Sequence, residues 1–257
     1  MMDAPDTLRA TGTKETGAPL VRCENAARTY GRGPGAVVAL HGLNCVVAPR
    51  VRIAVVGPSG SGKSTLLHLM AGLDRPTAGR VSHPGLGSSP AGGLARHIGV
   101  VFQGPSLLPP LTAVENVALP LRIDGVPDDE ADTRARAALA RLGLEELARR
   151  LPDELSAGQA QRVAVARVLA RRPRLVLADE PTGQLDRETG RQVLSVLLGA
   201  AAELRAAVLV TTHDPRVARE LGVRWYMADG RLIQPEPDDG TGGPASPPRR
   251  SRGGERP

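Results

Sequence analysis

Gly57-Pro58-Ser59-Gly60-Ser61-Gly62-Lys63-Ser64-Thr65 is the stretch whose reading decides the fold. It follows the apolar run Val51-Arg52-Ile53-Ala54-Val55-Val56 and precedes Thr65-Leu66-Leu67-His68-Leu69-Met70, whose apolar spacing is helical. Strand, glycine-rich loop and helix in that order make a phosphate-binding loop, or P-loop. Glycines let the backbone curl so that successive N–H groups point at phosphate oxygens. The loop ends at a helix N-terminus, where unpaired N–H groups and the helix dipole favour anions. Lys63 is positioned to reach the β- and γ-phosphates, and the Ser64 hydroxyl to hold Mg²⁺.

A chain of 257 residues suffices for one large domain with a substantial core. Hydrophobic residues make up 41% but aromatics only 2%, so that core is built from Val, Leu, Ile and Ala. Cys23 and Cys45 lack metal-ligand spacing and read as small core residues of a reduced chain. The net charge of +6 is carried mostly by Arg and reads as surface charge. No basic patch interleaves with aromatics, so nucleic acid is not expected as a partner. No run of 18 or more apolar residues occurs, so no membrane-spanning helix is expected.

Residues 1–18 are polar and read as a disordered leader without the apolar core of a secretory signal. Val21 to Tyr30 and Val37 to Val47 read as strands of an antiparallel layer, separated by the turn-rich Gly31-Arg32-Gly33-Pro34-Gly35. Short strands follow the P-loop helix at Arg80 to Ser82 and at His97 to Phe102, the latter ending at Gln103. Residues 104–157 form a helical block inserted into the α/β core, with one helix over Thr112 to Leu121 and a second capped by Asp128. Ser156-Ala157-Gly158-Gln159 has the form of a capping box and opens a helix to about Ala170. Arg174 to Ala178 and Ala207 to Thr211 are buried-type strands, and Asp186 caps a long helix between them. Asp214-Pro215 opens a short helix, and Val223 to Ile233 reads as a hairpin about Asp229-Gly230. The domain thus spans 19–234, and the Pro-, Gly- and Arg-rich residues 235–257 read as a disordered tail.

The second chemical signal is Leu175-Val176-Leu177-Ala178-Asp179-Glu180, an apolar strand ending in two carboxylates. At the carboxyl end of a parallel strand they stand beside the P-loop. Asp179 is the expected Mg²⁺ carboxylate, and Glu180 the group that polarises a water for attack on the γ-phosphate.

With these residues in place, the chain resembles the ATPase subunits of ABC transporters from about Val21 to Ile233. Leu155-Ser156-Ala157-Gly158-Gln159 resembles the family's signature, Leu-Ser-Gly-Gly-Gln, and is far more specific than the P-loop. Gln103 resembles the Q-loop glutamine that senses Mg²⁺, Gly183-Gln184-Leu185-Asp186 the D-loop, and His213 the switch histidine. Tyr30 resembles the aromatic that stacks on adenine. The resemblance implies a P-loop NTPase core, mostly parallel with flanking helices, plus an antiparallel β layer and the inserted helical subdomain. It implies MgATP as substrate, with Glu180, His213 and Lys63 catalytic. Ser156, Gly158 and Gln159 would act on the nucleotide of a second ATPase subunit, so that two ATP are bound head to tail. A separate permease, docked on the helical subdomain, would hold the subunit at the cytoplasmic face of the membrane.

Two positions depart from the family pattern. Ala157 replaces the usual Gly of the signature, and Pro49-Arg50-Val51 replaces a common Pro-Gly-Glu turn. The residues from Gly57 to Gly79, together with Leu107 to Val117, resemble the lipoprotein-releasing and macrolide-export group of ATPases. Export or membrane extraction is therefore the expected role, with an importer ATPase as the alternative. ABC-type ATPases of DNA repair or translation generally carry a long coiled-coil insertion, zinc cysteines or two cassettes, and this chain has none. A regulatory nucleotide binder would lack the acidic pair's turnover.

Overall fold

The computed structural model of the chain describes residues 8–9, 17–87 and 93–233. The expected tail over 235–257 and most of the expected leader lie outside the described residues.

The centre is a six-stranded sheet in the order β10-β9-β4-β8-β7-β6. Its strands are β4 (Arg52–Val56), β6 (Ile98–Val101), β7 (Leu175–Asp179), β8 (Ala207–Thr212), β9 (Val223–Ala228) and β10 (Arg231–Ile233). All pair in parallel except the terminal β9–β10 hairpin. A second sheet, β1-β3-β2-β5, is built on β2 (Val21–Tyr30) and β3 (Val37–Val47), which are antiparallel, with β5 (Ala78–Ser82) antiparallel on the far edge of β2. Leu8–Arg9 (β1) pairs in parallel with Cys45 and Val46 on β3. That strand falls within the segment read from sequence as structureless; two residues are too few to carry a periodic signal.

Alternation along the central strands explains the two cores. Ile53, Val55, Leu175, Leu177, Ala207 and Leu209 face one side, where they meet α1 (Lys63–Ala71) and the antiparallel layer. Ala54, Val176, Ala178, Val208 and Val210 face the other, where they meet α2 (Ala113–Ile123), α3 (Asp128–Arg141), α4 (Ala157–Leu169) and α5 (Arg187–Glu203). Strands β4, β7 and β8 are buried on both faces, so these segments read as continuous apolar runs. Trp225 fills part of the first core, which is otherwise aliphatic. Cys23 and Cys45 lie opposite each other across β2 and β3, both buried. The hydrogen bond from Cys23, followed by burial, holds the Cys45 thiol well above its ordinary pKa, which makes it a core group and not a reactive one.

One sequence reading needs correction. Asp128 does not cap α3; Pro127 stands at that position, because its carbonyl accepts the first intrahelical bond, from the Ala131 N–H at 2.8 Å. Asp128, Asp129 and Glu130 instead fill the first turn, where carboxylates complement the dipole. In the turn before β4, Arg50 stands where the family pattern has glycine. Arg50 itself takes φ 59°, the left-handed conformation that a glycine would adopt more easily.

Candidate nucleotide site

The P-loop leaves the carboxyl end of β4 and enters α1. Two of its glycines are required by space. A Cβ on Gly57 would fall 2.1 Å from the Met227 carbonyl oxygen, and one on Gly62, at φ 96°, 2.5 Å from that of Ala39. Pro58, Ser59 and Gly60 are exposed at the mouth, as is Ser64 on the first turn of α1, with Thr65 half-buried behind it. The Ser61 hydroxyl is buried and has no partner among the described residues. Lys63 is almost fully buried and folds its ammonium back onto the loop, donating to the carbonyl oxygens of Gly57 and Pro58, each at 2.9 Å.

The next two central strands, β8 and β7, deliver the other charged groups. Glu180 follows β7 at φ 41°. One carboxylate oxygen stands 3.7 Å from Lys63 Nζ, and the other 3.1 Å from Nδ1 of His213, beyond the end of β8. Glu180 therefore stands between the P-loop lysine and the histidine. Asp179 is its neighbour on the strand, and its Oδ1 accepts a 2.6 Å hydrogen bond from the Thr211 hydroxyl. The same hydroxyl accepts from the Glu180 N–H at 2.9 Å. Gln103 is exposed after β6 and comes within reach of the same group: a Cβ built on Gly183 would meet both Glu180 Oε2 and Gln103 Nε2, at 3.3 and 3.5 Å.

Tyr30 closes β2, its ring 39% exposed. Its hydroxyl donates to Asp74 at 3.0 Å, and the Arg28 guanidinium lies 4.6 Å from its ring centroid.

Ser156 caps α4 in the expected box. Its hydroxyl accepts from the Gln159 N–H at 3.2 Å, and the Gln159 side chain accepts from the Ser156 N–H at 2.9 Å. Among the described residues no hydrogen bond or ion pair joins Ser156, Gly158 or Gln159 to the P-loop of the same chain. Gly158 is buried against α5, where a Cβ would collide with the Thr189 methyl at 2.2 Å. Ala157 is exposed, so its extra methyl crowds nothing within the chain.

Comparison with known proteins bears directly on this arrangement. The family model described as ABC transporter matches residues 40–183. The lipoprotein-releasing system ATP-binding protein LolD of Chromohalobacter salexigens is 45% identical over 221 residues, covering 84% of this chain and 93% of that protein. The chain belongs to the ABC transporter ATPase family. The macrolide export ATP-binding/permease protein MacB 1/2 of Paracoccus denitrificans is 42% identical over 91% of this chain, which spans 35% of that longer protein. Among solved structures, the ATP-binding cassette MJ0796, a dimer in a post-hydrolysis state bound to ADP and Pi, superposes with a TM-score of 0.74 at 37% identity, covering 83% of this chain and 97% of that one. As an ABC ATPase, the chain binds ATP and hydrolyses it for transport. Among the described residues no helix is long and apolar enough to cross a membrane.

This ABC ATPase also uses residues that the sequence reading passed over. Thr211 ties both acidic residues to β8. Gln161, buried on α4, donates to the Phe102 carbonyl at 3.0 Å and so holds the backbone beside Gln103. Farther along α4, Arg167 donates to the carbonyls of Ser106 and Pro105. Asn116, fully buried, exchanges hydrogen bonds with Leu108 and donates to the carbonyls of Leu111 and Thr112, folding that loop onto α2. A buried amide or hydroxyl in an otherwise apolar run was the available signal, since such groups are nearly always bonded.

Proposed function

We propose that this ATPase drives a separate membrane permease at the cytoplasmic face, and that two copies clasp two ATP head to tail. Each site then joins the P-loop of one copy to the Ser156 cap of the other. The observation that carries this reading is the placement of Ser156: it is exposed at the N-terminus of α4 and, among the described residues, has no bond to its own P-loop. A helix N-terminus attracts phosphate, and a second copy would bring a nucleotide to it. A two-fold axis satisfies both sites at once.

Within each site the geometry supports the following roles. Glu180 is the general base for the attacking water, and His213 Nδ1 fixes the orientation of its carboxylate. Lys63 exchanges its two loop carbonyls for phosphate oxygens when ATP enters. The backbone N–H groups of the loop would receive the same phosphates. Ser64, Asp179 and Gln103 offer hard oxygen donors of the kind Mg²⁺ takes, and Thr211 keeps the Asp179 carboxylate oriented. When bound, Mg²⁺ would neutralise charge developing on the β- and γ-phosphate oxygens. Likeness to the lipoprotein-releasing and macrolide-export proteins supports export or membrane extraction as the coupled process.

The test is Glu180→Gln. Turnover should fall at least about a hundredfold, the scale of a lost general base. With ATP bound and unhydrolysed, the variant should elute as a dimer in gel filtration with light scattering. A variant that hydrolyses like the parent would remove Glu180 from its role. One that binds ATP yet stays monomeric would remove the clasp.

A further inference from the structure

We infer that Arg28 and Asp74 are positioning residues for the nucleotide base: together they hold Tyr30 as a one-sided stacking platform fixed to the P-loop helix. The inference rests on Tyr30 being the base contact in the function proposed above.

The platform is built from both ends of the site. Arg28 and Tyr30 are two apart on β2 and so emerge on the same face of the strand. The guanidinium lies over the ring at 4.6 Å and pairs with Asp74 at 2.8 Å, while the phenol hydroxyl donates to the same Asp74 oxygen at 3.0 Å. Base, ring and cation would then stack in that order, because Arg28 already occupies one face and leaves the other for the base. A cation on the far face of an aromatic ring is itself favourable. It also removes the ring's freedom to turn, so less order is lost when a base arrives.

Asp74 comes from the opposite end of α1. That helix ends at Gly72 in the left-handed conformation, and the N–H groups of Leu73 and Asp74 return to the His68 carbonyl. The chain is then sewn to β2 by the Thr77 N–H on the Ala27 carbonyl and the Thr29 N–H on the Thr77 hydroxyl. One helix of nine residues therefore holds the phosphate loop at its start and the tyrosine's anchor just past its end. At 1.5 Å per residue this fixes a span of roughly 13 Å between the two halves of the site. Desolvation alone would raise the Asp74 carboxyl, but the Arg75 N–H, the Tyr30 hydroxyl and Arg28 outweigh it and keep it below its ordinary value, so it stays ionised and able to hold both partners. Stacking reads a face that every base possesses, so the platform favours a nucleotide over a bare polyphosphate without choosing among bases.

The experiment compares ATPase kinetics of the full chain with those of Arg28→Ala, Arg28→Lys, Asp74→Asn and Tyr30→Ala. The expected result is a KM for ATP raised about three- to tenfold in Arg28→Ala and Asp74→Asn, with kcat kept, as for a lost cation–π contact. Arg28→Lys should recover part of the loss, and the KM for GTP should shift by the same factor as that for ATP. Inhibition by tripolyphosphate, which has no base, should be unchanged and so shows that the P-loop is intact in each variant. If Tyr30→Ala raises KM but Arg28→Ala and Asp74→Asn do not, the platform is overturned and Tyr30 stands alone. If Tyr30→Ala also leaves KM unchanged, the base contact itself is overturned. A loss of kcat, or of tripolyphosphate binding, in Arg28→Ala would assign the cluster to the fold instead.

Discussion

Thr211 is fully buried at the end of β8 and serves both acidic residues at once. Its hydroxyl hydrogen goes to Asp179, and its oxygen takes the N–H of Glu180, a residue held at positive φ. Replacing it by the isosteric Val removes both bonds without changing volume. Thr211→Val should lose about 1–3 kcal/mol of stability, the cost of hydrogen bonds one of which ends on a charged group. Its ATPase should need about 10–100-fold more Mg²⁺ for half-maximal rate, as when the outer partner of a metal-binding carboxylate is lost. A magnesium titration checks the second effect separately from thermal melting, which checks the first. Asp179 and Glu180 were legible from the chain because a strand ending in two acids is a local pattern. Thr211 was not, because its role depends on the pairing of Asp179 with Thr211 across β7 and β8, a contact between residues far apart in sequence.

At the level of elements, α2 and α4 begin in the same way, with a hydroxyl at the cap and a reciprocal side chain three residues on. The Ser156 box was readable directly, and so were the Asp186 cap and the Asp229-Gly230 turn, because caps and turns are written in adjacent residues. The cap of α3 was misread for the same reason: Asp128 has the right chemistry, but the helix starts one residue earlier, where the carbonyl of Pro127 becomes the first acceptor. In α2 the Glu115 carboxyl is held below its ordinary value, first by the Thr112 hydroxyl and then by the Thr112 N–H. A lowered folded-state pKa gives stability that is complete above the unfolded value and is lost as pH falls through the folded one. Glu115→Gln keeps the reciprocal geometry without the charge. The parent should therefore melt higher than this variant at neutral pH, and the two should converge as the pH falls below the usual glutamate range. A gap that persists into acid would show that the charge contributes nothing there. In α4, Ser156→Ala should cost about 1 kcal/mol of stability, the usual value of a cap.

At the scale of the molecule, the two cores hold the P-loop, the acidic pair and His213 on one sheet, while the Ser156 cap sits on α4, with no hydrogen bond or ion pair to the P-loop among the described residues. Hydrolysis by a lone subunit would then have every cis group in place and still lack Ser156. This separation makes a mixing experiment decisive. Lys63→Ala disables the P-loop side of a site, and Ser156→Arg blocks the cap side with bulk and charge. Each variant alone should be nearly inactive, because every site in its dimer contains the defect. In a mixed dimer, one site receives both defects and the other receives neither, since its Lys63 comes from the Ser156→Arg chain and its Ser156 from the Lys63→Ala chain. Random assortment makes half the dimers mixed, each with one intact site of two, so an equimolar mixture should recover roughly a quarter of the parental rate. Recovery should require ATP and rise with protein concentration, because the intact site exists only in the pair. If the mixture does no better than the average of its components, while both chains retain their fold and the parent still dimerises, then Ser156 acts within its own chain and the head-to-tail arrangement is wrong.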